Sequence, residues 1–107
     1  MKQIIKFLIC GGEQMFIILV YDIQLDDRKG QRRLNRIMKL CRCFLHHTQK
    51  SVFEGEISES SLREMEFRIK EIIDEKKDFV VIYRIDNINN LERKNIGIDF
   101  DPNQTII

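Results

Sequence analysis

The chain has 107 residues, which is the size of one ordinary domain, since a single hydrophobic core is usually sustained at ~100–150 residues. Its 43% hydrophobic and 33% charged residues, with one Pro and five Gly, exclude a disordered or collagen-like chain, and no apolar run reaches the ~20 residues of a membrane-spanning helix. Eighteen Lys and Arg against seventeen Asp and Glu leave a net charge of +1, which excludes a uniformly basic polyanion binder but not one whose charges are segregated.

In chain order, Met1 to Gln14 fits least well with the rest of the chain. Ile4 to Cys10 is too short to span a bilayer and has no small-residue cleavage site after it. Gly11, Gly12, Glu13 and Gln14 require purine-rich codons resembling a ribosome-binding sequence just ahead of Met15. Residues 1–14 are therefore expected to be an extension outside the native product, with an additional edge strand or N-terminal arm as the alternative. From Met15 to Tyr21 the run Phe16, Ile17, Ile18, Leu19, Val20, Tyr21 is continuously apolar, β-branched and aromatic, as in a central strand buried on both faces. It stops at Asp22.

After a polar stretch the period changes. Leu34, Ile37, Met38, Cys41, Phe44 and Leu45 form one helical stripe over Gly30 to Leu45, with Asp26 or Asp27 placed to cap it. Thr48 to Ile57 reads as two short strands or one bent strand, with Gly55 permitting a bulge. A second helix starts near Ser58 to Ser61, where Ser61 and Glu64 have capping-box spacing. Its stripe is Leu62, Met65, Ile69, Ile72 and Ile73, and Phe67 lies off it, either exposed or covered by something outside this helix. Phe79 to Ile85 is a strand, and Arg93 to Ile98 is a weak strand candidate in a polar, Asn-rich remainder. Strand, helix, strand, strand, helix, strand describes a ferredoxin-like βαββαβ α+β domain over residues 15–99, an antiparallel sheet with two helices on one face, followed by a tail over 100–107. Such a fold hosts many functions, so function must be argued from sites.

Three chemical features stand out. Between Arg28 and Lys50 there are eight bases and no acid. Lys29, Arg32, Arg33, Arg36 and Lys39 are expected to gather opposite the Leu34 stripe as a cationic ridge able to attract a phosphate backbone, where an ordinary solvated helix face would carry mixed charges. Ser51 to Asp78 carries nine acids against five bases, so the compensating charge lies elsewhere. Asp22, at the end of the strand, is either a turn-former or a carboxylate able to hold Mg²⁺ together with water and phosphate oxygens. Cys41, Cys43, His46 and His47 lack zinc-site spacing, and the odd number of cysteines points to a reduced, cytoplasmic protein. The hydroxyls of Tyr21 and Ser51 are read as structural, with a nucleophilic role as the alternative, and His46 and His47 have no partnered Ser or Cys at a hydrolase spacing.

The strand ending Tyr21-Asp22, the basic helix with Arg33, and the run Gln49-Lys50-Ser51-Val52-Phe53-Glu54-Gly55 resemble the CRISPR-associated protein two family, the small partner of the CRISPR integrase, over Met15 to about Ile98. The resemblance implies a ferredoxin-like homodimer with an extra C-terminal edge strand, Ile96 to Ile98, exchanged onto the partner's sheet. It implies a role in spacer acquisition, with the dimer bridging integrase dimers and holding duplex DNA. Mg²⁺-dependent endonuclease activity on single-stranded RNA or double-stranded DNA follows from it as well, with Asp22 as the catalytic metal ligand. Tyr21, Ser51 and Phe53 would shape that site, and Arg32, Arg33, Arg36, Lys39 and His47 would contact nucleic acid. His47 departs from the family, in which Arg is frequent two residues before the Gln, so a phosphate contact there would depend on pH. One carboxylate per subunit is a thin ligand set for Mg²⁺. A metal-free DNA-binding scaffold therefore stays open as an alternative, as does a ferredoxin-like domain that binds a small regulatory molecule.

Overall fold

The structure is a computed structural model and describes residues 14–97; of the expected extension over 1–14 only Gln14 is described, as the first residue of the first strand, and the expected tail over 100–107 lies outside the described residues. Strand β1 (Gln14–Asp22) leads into helix α1 (Arg28–Phe44), the hairpin β2 (His46–Gln49) and β3 (Val52–Ser58), helix α2 (Glu59–Ile72) and strand β4 (Phe79–Ile85). The strands form one antiparallel sheet in the order β2-β3-β1-β4, and a short 3₁₀ turn, Ile88–Asn90, comes after β4. The expected ferredoxin-like order is the observed one.

Asp27 caps α1, its carboxylate accepting the Gly30 N–H at 2.7 Å. Helix α2 starts within the expected Ser58 to Ser61 window, with the cap at Ser58 rather than at the Ser61 of the Ser61–Glu64 spacing. Ser58 ends β3 and is itself the cap, accepting the Ser61 N–H at 3.2 Å, so strand passes into helix without a loop. The irregularity in the hairpin falls between His47 and Gln49 rather than at Gly55, which stays in register with Ile17.

Central β1 is not buried on both faces. Met15, Ile17, Leu19 and Tyr21 are buried, whereas Phe16, Ile18 and Val20 between them are only half-buried. Both helices lie over the first set, and Ile37, Cys41, Phe53, Met65 and Ile69 complete that core. Among the described residues the opposite sheet face has no second layer. Register places Phe16, Ile18, Val20 and Val52 there beside Tyr83 and Phe79, which are 56% and 60% exposed. A continuous apolar run therefore does not distinguish a strand buried by two layers from one whose second face is apolar but open. Arg93 bonds Glu54 on this open face, and Arg93 to Gly97 form no strand within the chain. Among the described residues no helix is long and apolar enough to cross a membrane.

Candidate functional site

Asp22 is exposed at the end of β1. Alternation puts its side chain on the open face, next to Phe79 of β4, with which it is paired in register. The carboxylate forms no ion pair among the described residues. The β2–β3 turn lies at the same end of the sheet, because the Tyr21 N–H donates to the Ser51 carbonyl at 3.1 Å. The short connection Ile23 to Asp27 then brings in the first turn of α1.

The residues expected to shape the site lie on the other side of the sheet. Tyr21 and Phe53 are buried under the helices, with ring centroids 6.1 Å apart, and the His47 ring stacks on Phe53 at 4.6 Å. The Tyr21 hydroxyl donates to the Lys50 carbonyl at 2.8 Å, and His47 Nε2 lies 3.2 Å from the same oxygen. Burial first, and then the neighbouring Cys41, push the Tyr21 phenol above its ordinary value, so it stays a neutral donor. These three rings fix the backbone of the hairpin turn that flanks Asp22. Ser51 is half-buried in that turn and contributes its carbonyl.

The α1 ridge is present with one correction. Arg28, Lys29, Arg32, Arg36, Lys39 and Arg42 are exposed, and no carboxylate pairs with any of them among the described residues. Arg33 is not on the ridge. At 100° per residue it falls beside Leu40 and Ile37 on the packed flank, where its Nε donates to Asp78 at 2.6 Å and its Nη2 at 3.3 Å. The side chains are 12% and 0% exposed. Asp78 also accepts the Gln24 N–H at 3.1 Å and the Asp74 N–H at 2.9 Å. Burial pushes the Asp78 carboxyl up, but the Arg33 guanidinium and the two amides outweigh it and hold it below the ordinary Asp range. Asp78 thus ties the loop after Asp22, the start of α1 and the α2–β4 connection together. The sequence offers no signal for it, because in the sequence it is one acid in a charged run, forty-five residues from Arg33.

For a metal, Asp22 is one exposed oxygen donor, and the described residues contain no group of three or more His, Cys, Asp or Glu that could hold an ion. A hard divalent cation needs about six oxygen ligands, supplied by one or two carboxylates with water and phosphate. A single chain does not supply that set; two chains with their Asp22 ends together would bring two carboxylates.

The chain matches the family described as CRISPR associated protein Cas2 over residues 15–93. It is 35% identical over 107 residues to the CRISPR-associated endoribonuclease Cas2 of Fusobacterium nucleatum, covering 100% of both chains. To the CRISPR-associated endoribonuclease Cas2 2 of Moorella thermoacetica it is 42% identical over 91 residues, 85% of this chain and 100% of the relative. A solved structure described as the crystal structure of cas2 superposes with a TM-score of 0.70 at 38% identity, covering 89% of this chain and 100% of that one. Streptococcus pyogenes Cas2 at pH 6.5 superposes with a TM-score of 0.65 at 29% identity over 76% of this chain and 100% of that one. With the expected strand order, the strand-end Asp22 and the basic α1 in place, the chain belongs to the CRISPR-associated protein Cas2 family.

Proposed function

We propose that this protein acts in CRISPR adaptation as a homodimer that binds duplex DNA along α1 and bridges integrase dimers. The observation that carries this reading is the set of α1 cations that have no carboxylate partner among the described residues. Helix α2 interleaves Glu59, Glu64, Glu66 and Glu71 with its bases, and Arg68 pairs with Glu64 at 3.0 Å and Arg84 of β4 with Glu59 at 3.1 Å, whereas α1 carries no acid, so that Arg32, Arg36 and Lys39 keep their full charge for a phosphate backbone. The open apolar sheet face, with Phe79 and Tyr83 exposed, suits burial against a second copy. Each phosphate interaction removed should lower the salt slope of log K by about 0.9 for duplex DNA, so the triple variant Arg32→Ala/Arg36→Ala/Lys39→Ala should flatten it by about 2–3. A slope unchanged by the triple variant overturns the α1 interface. No DNA binding at any salt concentration favours the small-molecule regulatory domain.

A second reading adds endonuclease activity that depends on a metal ion; the named relatives are called endoribonucleases. It is favoured by the position of Asp22, without an ion-pair partner among the described residues and at the edge of the face that would be shared by two copies. Mg²⁺ held there would activate water and neutralise phosphate charge. The chain's own contribution is to present the carboxylate rigidly, through the hairpin turn locked by Tyr21 and His47 and the loop locked by Asp78. Asp22→Asn keeps the shape and removes the charge. If it abolishes cleavage of RNA or DNA and leaves integrase-dependent spacer capture intact, Asp22 is catalytic and the scaffold role is separate. If cleavage persists at the wild-type rate, Asp22 is not catalytic.

A further inference from the structure

Phe67 belongs neither to the core nor to the site at Asp22. It lies off the packed stripe of α2 and is 65% exposed, an unfavourable place for a large apolar ring unless something covers it. It borders a groove of about 670 Å³ between the two helices, with Leu40 and Ile72 among its apolar lining residues and Arg36, Lys39 and Arg68 as its cations. Glu71 is the one acid among the lining residues, and Arg68 is shared with Glu64. The groove continues directly into the α1 ridge through Arg36 and Lys39. It lies on the helix layer, away from the open sheet face, and so stays accessible if that face pairs with a second copy.

From this arrangement we infer that the α1–α2 groove binds unpaired nucleotides, a base stacking on Phe67 while the flanking phosphates meet Arg36 and Lys39. Aromatic rings interleaved with cations are the recurring construction for single-stranded nucleic acid, because every base offers a π-face whatever its identity. Duplex DNA satisfies only half of the site. Its phosphates can lie along α1, but its bases are already stacked on both faces and leave nothing for Phe67. A purely electrostatic contact would need no exposed ring, and a purely apolar one would not be rimmed by Arg36 and Lys39. The inference rests on the reading that α1 binds phosphate backbones, and adds to it a preference for strand ends or unpaired stretches.

The chain contains no tryptophan, so Phe67→Trp in the full-length protein is a single fluorescent reporter at the site. A base stacked on an indole quenches its emission. We expect a short oligothymidylate to quench the indole of the Phe67→Trp variant saturably, while a blunt, closed duplex binds without quenching. Phe67→Ala should weaken oligothymidylate binding about tenfold and Phe67→Tyr should restore it, with duplex affinity unchanged in both. Oligothymidylate binding by anisotropy with no quenching, and no weakening in Phe67→Ala, overturns the inference while leaving duplex binding by α1 standing. Absence of both duplex and single-strand binding overturns the two together. Quenching by poly-glutamate as strong as by oligothymidylate also overturns it, and assigns the groove to an acidic protein segment.

Discussion

Replacing Asp78 tests the connection between the buried ion pair and the geometry at Asp22. In Asp78→Ala the Arg33 Nε and Nη2 lose acceptors at 2.6 and 3.3 Å, and the Gln24 and Asp74 amides lose theirs at 3.1 and 2.9 Å. Removing one partner of a buried pair costs about 3–5 kcal/mol, because the other charge stays desolvated. Arg33 is 12% exposed and Asp78 0%, so little water is at hand to replace the carboxylate. For a domain with about 5–15 kcal/mol of total stability this is a large fraction. With a urea m-value of about 1–3 kcal/mol/M, the unfolding midpoint should fall by roughly 1–5 M at unchanged slope, measured at one fixed protein concentration. Asp78→Asn keeps an oxygen for one backbone amide and should lose less.

The acid dependence has a definite sign. The folded carboxyl is held below its ordinary value of 3.8, so its contribution is fully present above that value and is lost as pH falls through the lower folded value. The gap between wild type and Asp78→Asn should therefore be constant from neutral pH down to about 4 and close only below it. A cost under about 1 kcal/mol for Asp78→Ala, the size expected of an exposed pair, or a gap that closes near neutrality, would refute the view that the Arg33–Asp78 pair ties these three segments together.

Gly30→Ala gives a test of sign. Intrinsic propensity favours Ala in a helix by about 1 kcal/mol, but a Cβ at Gly30 would collide with the Gln24 carbonyl oxygen, a backbone atom of the loop after Asp22. We expect net destabilisation of about 1–3 kcal/mol, read as a lower melting temperature, and a stabilised variant would show that the loop yields freely. Among the described cysteines, Cys41 is buried, with its thiol pushed up to about 12 by burial, and Cys43 is exposed. In a Cys10→Ser background a thiol reagent should modify one cysteine promptly and the second only on unfolding, with peptide mapping placing the first label at Cys43. Prompt labelling of Cys41 would contradict the packing of α1.

How much of the fold and the site is legible in the sequence depends on the kind of interaction involved. The strand of β1, the helical stripe of α1, the off-stripe position of Phe67 and the element order are local patterns of period and composition, and each is readable from neighbouring residues. Spacing alone leaves open which serine caps α2, because Ser58, Ser60 and Ser61 are all capable caps, and only the hydrogen bond from the Ser61 amide decides among them. Arg33 reads as part of the cationic ridge because charge alone does not separate a residue at the edge of the packed stripe from one facing solvent.

By itself the sequence determined the family, the βαββαβ order, the strand-end carboxylate at Asp22 and the concentration of positive charge in α1, since these depend on residue type and short-range spacing. The tertiary structure alone decided which face of β1 is covered and that Tyr21, Phe53 and His47 support the hairpin from beneath. It likewise decided that Arg33 is withdrawn into a pair with Asp78 and that Phe67 borders a groove with Arg36 and Lys39. Those outcomes depend on which distant segments meet across the sheet and between the helices, and a one-dimensional pattern carries charge and polarity but not the identity of the partner that meets them.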